Sequence, residues 1–243
     1  MKILAIGNSF SQDATAYLHA IASADEYALE VTNLYIGGCS LERHANNIEN
    51  NAADYLLEKN GESTGRMVSI KETLASDAWD YVTMQQASYL SNNYATYQPY
   101  LNQLSAYVRE YAPQAEQIIH QTWAYEQDSE RLTKEMGYKN HQGMFSDLKG
   151  AYLQASRELG NLRIIPSGQL FQYALKEGMK TVHRDTFHAL IPHGRYLLSA
   201  LWYVFFTGRS ILDNRFCPEG MTGEELTTLK SYVHWVNLNS ADS

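Results

Sequence analysis

The sequence predicts an α/β fold with a five-stranded parallel sheet, formed by a single domain over residues 1–243. Five short apolar segments alternate with segments of helical hydrophobic pattern, which is typical of parallel strands connected by helices. No linker rich in proline or glycine divides the 243 residues, and a chain of this length can bury one full core.

Strands and helices alternate along the chain. The apolar run Lys2–Ile6 predicts the first strand, and Asp13–Ala22 predicts the helix that follows it. The later strands are predicted at Leu29–Ile36, Tyr81–Gln85, Gln117–Gln121 and Leu162–Ile165. Further helices are predicted at Val68–Leu74, Tyr97–Tyr111, Met144–Leu159 and Pro192–Phe206, and glycine follows the last two as a stop signal. Because ligands of open parallel sheets bind at the carboxyl ends of the strands, the loops there are the candidate site.

Charge and hydropathy exclude several classes of partner. The formal net charge is −8 with both signs interspersed, which disfavours nucleic acids and anionic membrane surfaces. The longest apolar run, Tyr196–Phe206, is too short to span a bilayer and predicts a buried helix. Met1 leads directly into the first strand, which predicts a cytoplasmic protein, or an exported one whose signal peptide has been removed. Cys39 and Cys217 match no zinc spacing and are expected to be reduced thiols.

The segment Gly7-Asn8-Ser9 is a candidate nucleophile turn. A sharp turn from strand to helix exposes the serine hydroxyl and leaves its N–H at a helix N-terminus, which stabilises an oxyanion. The hydroxyl also needs an imidazole to accept its proton and a carboxylate to orient that imidazole. Asp185 and His188 supply both groups, since residues three apart in a helical turn share a face. In the alternative interpretation, Ser9 and Asp185 cap helices and His188 is a surface residue.

Two further strand ends offer donors for an oxyanion. Gly37 and Gly38 follow the second strand, where backbone can approach a ligand closely and donate an N–H. Gln85 and Gln86 at the end of the third strand place side-chain amides at the same edge. A plain tight turn and ordinary loop capping are the alternatives for these two segments.

Other polar and aromatic residues lie beside the predicted site. His120 and Trp123, at the end of the fourth strand, are expected either near the site or in the core. Asp13 is expected to cap or charge its helix, and the polar segment Glu126–His141 is a candidate lid. Possible substrate contacts after the glycine pair are Arg43, His44 and Asn47.

The sequence predicts no metal and no cofactor. A cluster of potential ligands, His183, Asp185, His188 and His193, matches none of the zinc spacings. The chain has neither the glycine pattern of a dinucleotide fold nor a phosphate-binding loop.

Taken together, these segments resemble the SGNH (GDSL-like) hydrolase superfamily over nearly the whole chain. The four landmarks of that superfamily are similar to Gly7–Ser11, Gly37-Gly38, Gln85-Gln86 and Asp185–His188. The opening Ile-Leu-Ala-Ile-Gly-Asn-Ser-Phe-Ser, with Gly-Gly-Cys-Ser-Leu-Glu, Gln-Gln-Ala-Ser and His-Gln-Thr-Trp-Ala-Tyr, is similar to the DUF4886 branch. The resemblance implies a three-layer α/β/α sandwich of flavodoxin-like topology.

Two positions depart from the superfamily pattern. Asn8 stands where an aspartate usually precedes the serine, and that aspartate is not a member of the triad. The usual Gly-x-Asn-Asp is absent, so its asparagine oxyanion donor has no counterpart. Sialate-type acetylesterases carry Gln-Gly-Glu near that position, and the similarity implies that Gln85 or Gln86 substitutes.

The resemblance implies a serine esterase that needs no cofactor and removes a short acyl group, such as O-acetyl, from a small molecule or carbohydrate. Ser9 would attack the carbonyl, His188 would transfer the proton, and Asp185 would hold the ring. The oxyanion would be bound by the N–H groups of Ser9 and of Gly37 or Gly38, with a glutamine amide. Substrate contacts are expected from Asn8, His44 and Trp123.

Three alternatives remain open at the level of sequence. An acyltransferase, or a thioesterase or lysophospholipase, would use the same acyl-enzyme with another acceptor or a longer chain. A non-catalytic carbohydrate-binding protein would retain the fold without the reaction.

Overall fold

Seven strands form the central sheet of the computed structural model, which describes residues 1–240. In chain order they are β1 (Lys2–Gly7), β2 (Glu30–Tyr35), β3 (Tyr55–Lys59), β4 (Glu62–Val68), β5 (Tyr81–Met84), β6 (Glu116–His120) and β7 (Ile164–Ile165). Their order across the sheet is β4-β3-β2-β1-β5-β6-β7. The five strands from β2 to β7 in that order are parallel, whereas β3 and β4 form an antiparallel hairpin beside β2.

Helices flank this sheet on both faces. In chain order they are α1 (Ser9–Thr15), α2 (Leu18–Ala24), α3 (Leu41–Glu49), α4 (Ile70–Ala75), α5 (Tyr100–Tyr111), α6 (His141–Glu158), α7 (Ser167–Lys176), α8 (His193–Thr207) and α9 (Gly223–Asn239). A 3₁₀ turn (Tyr94–Thr96) and a short π-helix (Arg131–Glu135) complete them. Helix α8 packs against α1, α2, α7 and α9, and α3 packs against α4 and α5. The predicted α/β sandwich is confirmed.

The prediction of a five-stranded, wholly parallel sheet is wrong in one respect. All five predicted strands are present with shifted ends, but the β3–β4 hairpin was not predicted. Its turn is Asn60-Gly61, and both residues have positive φ, 54° and 87°. An Asn-Gly pair between two potential strands is the strongest short-range hairpin signal, so the sequence did carry this information.

The helix ends also differ from the prediction. The helix expected over Asp13–Ala22 is two helices, because the first begins at Ser9 under the cap of Asn8 and a second begins at Leu18. The other four predicted helices are present with shifted ends, as α4, α5, α6 and α8. Helices α3, α7 and α9 were not predicted, although Thr222 and Glu225 form a capping box at the start of α9.

The core fixes the position of the nucleophile turn. Ile3, Leu4 and Ala5 of β1 are fully buried, and Phe10 just after the turn packs into the same core. Gly7 has no room for a side chain, because a Cβ there would lie 2.3 Å from Ser11 Oγ and 3.2 Å from Gln85 Cδ. Among the described residues, no helix is long and apolar enough to cross a membrane.

Candidate active site

Ser9, His188 and Asp185 are joined by hydrogen bonds at the carboxyl edge of the sheet. Ser9 Oγ lies 2.9 Å from His188 Nε2. His188 Nδ1 lies 2.8 Å from Asp185 Oδ2, and the His188 backbone N–H donates to the other carboxylate oxygen at 2.9 Å. Since the carboxylate can only accept, Nδ1 carries a proton and a neutral ring would leave Nε2 as an acceptor for the serine proton. The structure therefore brings together the three residues that were predicted from the sequence as a candidate triad.

Asn8 holds the turn that presents Ser9. Its side-chain oxygen accepts from the backbone N–H of Phe10 at 2.9 Å and caps α1, so the helix begins at Ser9 itself. Its amide nitrogen donates to the Cys39 carbonyl at 3.1 Å, which ties the nucleophile turn to the loop after β2. Asn8 borders the cleft but is only 1% exposed, and its amide makes these hydrogen bonds within the protein rather than facing a substrate.

The segment that carries His188 is a tight loop closed on itself. Arg184 N–H donates to the His188 carbonyl at 3.0 Å, and His183 pairs with Ala189 in an isolated antiparallel bridge. Thr186, between Asp185 and His188, has φ 75°, a conformation that non-glycine residues seldom adopt. This reversal turns the imidazole back toward the Asp185 carboxylate.

A buried ion cluster anchors that loop to α1. Asp13 is 0% exposed and accepts from Arg184 Nη1 at 2.9 Å and from Arg195 Nε at 2.8 Å. The Ala189 N–H donates to the same carboxylate at 2.9 Å. The expectation that Asp13 caps its helix is wrong, because α1 begins four residues earlier and the carboxylate faces the interior. Its arginine partners lie far away in sequence, so the single sequence gave no indication of this pairing.

Hydrogen bonding keeps the Asp185 carboxylate in its charged form. Partial burial raises the pKa of Asp185, but the hydrogen bonds from the ring and backbone of His188 lower it by more. The pKa of Asp185 therefore lies below its ordinary value of 3.8. An ionised carboxylate near neutral pH would stabilise a positive charge on the neighbouring imidazole.

Backbone donors stand beside the serine in a glycine turn. The Cys39 N–H donates to the Ile36 carbonyl at 3.2 Å and closes a turn with Gly37 and Gly38 at its centre. Gly38 has φ 61°, which suits the third position of such a turn. Within residues 1–240, the N–H groups of Ser9, Gly37 and Gly38 donate to no protein acceptor. All three residues border the same cleft, so their N–H groups are candidate donors to an oxyanion.

The two glutamines do not take part in that donor set. Gln86 Oε1 accepts from Leu41 N–H at 3.0 Å, and its amide nitrogen donates to the Thr96 carbonyl at 2.9 Å. Gln85 is 2% exposed, and its amide nitrogen donates to Asn8 Oδ1 at 2.8 Å. The prediction that either amide faces the site is therefore corrected, because each binds structural partners and neither borders the cleft.

His120 completes the chain behind Gln85. It is fully buried, and its Nδ1 donates to Gln85 Oε1 at 2.6 Å. Its Nε2 then accepts from the Ser167 hydroxyl at 3.1 Å. Burial lowers the pKa of His120 to about 3, so it is a neutral core histidine. His120 therefore orients Gln85, and Gln85 holds Asn8, so both residues support the turn at Ser9 without bordering the cleft.

Ser9 and His188 border a cleft of about 280 Å³, and five of its twelve lining residues are phenylalanine or tyrosine. The walls beyond the residues named above include Tyr35, Ser88, Tyr89, Tyr125, Arg131 and Phe187. The Ser88 and Tyr125 hydroxyls are 2.9 Å apart. Arg131 belongs to the predicted lid segment, which thus supplies part of the wall. Tyr35 and Tyr89 were not predicted as site residues, because aromatic residues near a strand end serve cores equally well. Ser88 and Arg131 were not predicted either.

Several predicted contact residues lie outside the cleft. His44 is 0% exposed and its Nδ1 bonds the Tyr55 hydroxyl at 2.8 Å. Trp123 is also 0% exposed; it stacks on Phe10 at 4.1 Å and donates to the Phe187 carbonyl at 2.8 Å. The prediction that these two side chains contact substrate is wrong for this structure, because the core covers both. Arg43 and Asn47 do not border the cleft either.

The histidines near the triad segment have separate partners. His183 Nε2 lies 3.0 Å from the Ala124 carbonyl, and His193 Nε2 lies 3.1 Å from Glu225. Within the described chain, no group of three potential ligands is placed to hold a metal ion. Cys39 and Cys217 are both free thiols, the first buried and the second exposed.

Comparison with known proteins identifies the family. The profile of DUF4886, a domain of unknown function, matches residues 2–234. A DUF4886 family protein from Bacteroides uniformis is 36% identical, with a TM-score of 0.93 over 99% of this chain and 95% of that chain. Among curated proteins, none matches this chain significantly.

More distant structures share the fold. A candidate SGNH hydrolase from Slackia heliotrinireducens is 22% identical, with a TM-score of 0.60 over 84% of this chain and 97% of that chain. An acetylxylan esterase from Geobacillus stearothermophilus is 15% identical, with a TM-score of 0.54 over 88% of this chain and 97% of that chain. These likenesses establish a common fold with the SGNH hydrolases. Since the family profile spans nearly the whole sequence, the chain belongs to the DUF4886 family.

Proposed function

We propose that this protein is a serine hydrolase that cleaves short-chain acyl esters through Ser9, His188 and Asp185. The observation that carries the proposal is the 2.9 Å contact between Ser9 Oγ and His188 Nε2, with Asp185 2.8 Å from Nδ1 of the same ring. These are the distances that a serine, a general base and an orienting carboxylate require.

The reaction follows from the proton positions. His188 Nε2 accepts the Ser9 proton as Oγ bonds to the ester carbonyl carbon, and the carbonyl electrons move to oxygen. The N–H groups of Ser9, Gly37 and Gly38 stabilise that oxyanion. The imidazolium, held by Asp185, returns its proton to the leaving alcohol as the ester C–O bond breaks. In the second half of the reaction, His188 accepts a proton from water as the water oxygen attacks the acyl-enzyme. The bond to Ser9 Oγ then breaks, Oγ regains a proton from His188, and the carboxylic acid leaves.

The substrate class is a short acyl ester on a carbohydrate or similar polyol. A cleft of about 280 Å³ has room for a small acyl group on one sugar-sized alcohol, but not for a long acyl chain as well. The rings of Tyr35 and Tyr89 border the cleft and offer apolar surface and a hydroxyl suited to a sugar. The acetylxylan esterase of the same fold makes O-acetyl the first group to test.

Hydrolysis of 4-nitrophenyl esters from acetate to octanoate tests the proposal. We expect acetate to be preferred, and we expect kcat to fall by about 10⁴-fold or more in Ser9→Ala and His188→Ala. Ser63→Ala, at an exposed serine on β4, is the matched control and should keep the wild-type rate. Wild-type turnover that survives Ser9→Ala, or a wild type inert on every ester, would refute it.

A further inference from the structure

We propose that Arg131 binds a carboxylate of the substrate, so that the preferred ester is an anionic one. This inference rests on the proposed function, because it assigns a charge to the substrate of the same site. The carboxylate could belong to the acyl group, as in a half-ester of a dicarboxylic acid. It could also belong to the alcohol, as in an acylated uronic acid.

Arg131 is placed where it can reach a bound ester. It borders the cleft that holds Ser9 and His188, at the first residue of the π-helix after β6. Its guanidinium stacks over the Phe187 ring at 3.9 Å and lies 5.7 Å from the Tyr125 ring. A guanidinium stacked in this way keeps its N–H groups in the plane, directed past the ring edge, where they can bind a carboxylate with two bonds.

The charge of Arg131 is the only fixed charge on the cleft walls described here. It stands out because the chain as a whole has a net charge of −8. A wall with one cation attracts an anionic ligand and disfavours a cationic one, and because Arg131 is partly exposed the effect should weaken with salt.

Arg131 is also weakly neutralised by the protein. Within residues 1–240 it pairs with Glu135, and Arg131 Nε lies 3.7 Å from Glu135 Oε2. The Arg131 side chain is 36% exposed and that of Glu135 is 63% exposed. Exposed pairs of this kind contribute little and are screened by salt. Arg184 and Arg195 differ, since both donate to the buried Asp13 and are not available for substrate.

A purely structural role makes a different prediction. If Arg131 only packs on Phe187 and so steadies His188, its loss would lower turnover of neutral and anionic esters by the same factor. A carboxylate site predicts a loss confined to the anionic ester and expressed mainly in KM.

Matched esters separate these outcomes. Monomethyl and dimethyl succinate differ in one charge on the acyl side, and O-acetyl galacturonate and O-acetyl galactose differ in one charge on the alcohol side. In a pH-stat, we expect wild type to prefer the anionic member of one pair by at least 10-fold in kcat/KM. Arg131→Gln should abolish that preference while keeping the neutral ester within about 3-fold, and added salt should reduce the preference in wild type.

Lys134→Gln is the matched control, since Lys134 is a 70% exposed cation three residues along that does not border the cleft. It should leave the preference unchanged, and Glu135→Gln should keep or increase it. Equal rates for both members of both pairs, or equal losses in Arg131→Gln, would overturn the carboxylate site and leave the hydrolase proposal standing.

Binding provides a readout that does not need turnover. Calorimetric titration of Ser9→Ala with succinate or galacturonate should show binding at low salt that disappears in Ser9→Ala combined with Arg131→Gln. No binding of either anion, or binding that survives the loss of Arg131, would overturn the inference. Failure of the hydrolase proposal alone would instead appear as inertness toward every ester with Arg131-dependent binding retained.

Discussion

Replacement of Asp13 by asparagine tests the ion cluster that joins α1 to the loop carrying His188. The substitution keeps the shape and one acceptor oxygen but removes the charge that faces Arg184 and Arg195. Asp13 is 0% exposed, whereas the two arginine side chains are 26% and 23% exposed. Both arginines bind the buried Asp13 carboxylate, so the cluster loses its shared anion when Asp13 is replaced.

The expected cost follows from that burial. Breaking a buried pair by removing one partner costs about 3–5 kcal/mol, because the remaining charges lose their compensation. Since Arg184 and Arg195 reach water, we expect the lower end, about 3 kcal/mol for Asp13→Asn. For a domain of this size that loss lowers Tm by about 6–12 °C.

Urea unfolding with an unchanged m-value, together with thermal melts, measures this loss. Glu116→Gln removes one member of the exposed pair with Arg163, whose N···O distance of 2.8 Å is comparable. That control should lose less than about 1 kcal/mol. An Asp13→Asn loss of the same small size would show that the cluster does not stabilise the loop.

Three further predictions follow from the same contacts. Burial lowers the pKa of His44 and His120 to about 3 and of His183 to about 4. Below about pH 6.5 the unfolded chain binds protons that the folded chain does not, so stability falls toward pH 4 by up to about 1.4 kcal/mol per pH unit for each histidine. A free energy of unfolding, measured with urea, that stayed constant between pH 7 and 4.5 would contradict this. Asp185→Asn should lower kcat by on the order of 10⁴-fold in the ester assay with little change in Tm, because Asp185 is 45% exposed; a rate near wild type would exclude its role. Gly7→Ala should cost about 1–3 kcal/mol in unfolding experiments, since a Cβ would lie 2.3 Å from Ser11 Oγ, and an unchanged stability would show that the turn can adapt.

The parallel strands and the residues Ser9, Asp185 and His188 were accessible from the sequence because each has a strong local signal. An apolar strand that ends in Gly-Asn-Ser and an Asp-x-x-His segment are both contiguous in sequence. Their meeting depends only on topology, which places strand ends at one edge of the sheet. The Asn60-Gly61 turn is an equally local signal, so the β3–β4 hairpin was also predictable from the sequence.

The supporting contacts depend on tertiary structure, and the sequence could not provide them. Gln85 and Gln86 were both plausible donors, but whether an amide at a strand end faces the cleft depends on its neighbours. Here Asn8 and His120 bind Gln85 on the core side. Asp13 and Arg195 are likewise far apart in the chain, and only the packing of α1 on α8 brings them together.

The central claim is that Ser9 is activated by His188, and covalent labelling tests it most directly. A fluorophosphonate probe reacts with activated serines, and intact-mass and peptide analysis locate the adduct. We expect a single adduct on Ser9 in wild type, none in Ser9→Ala and a strongly slowed reaction in His188→Ala. An unlabelled wild type, labelling at another serine, or an unchanged rate in His188→Ala would contradict the assignment.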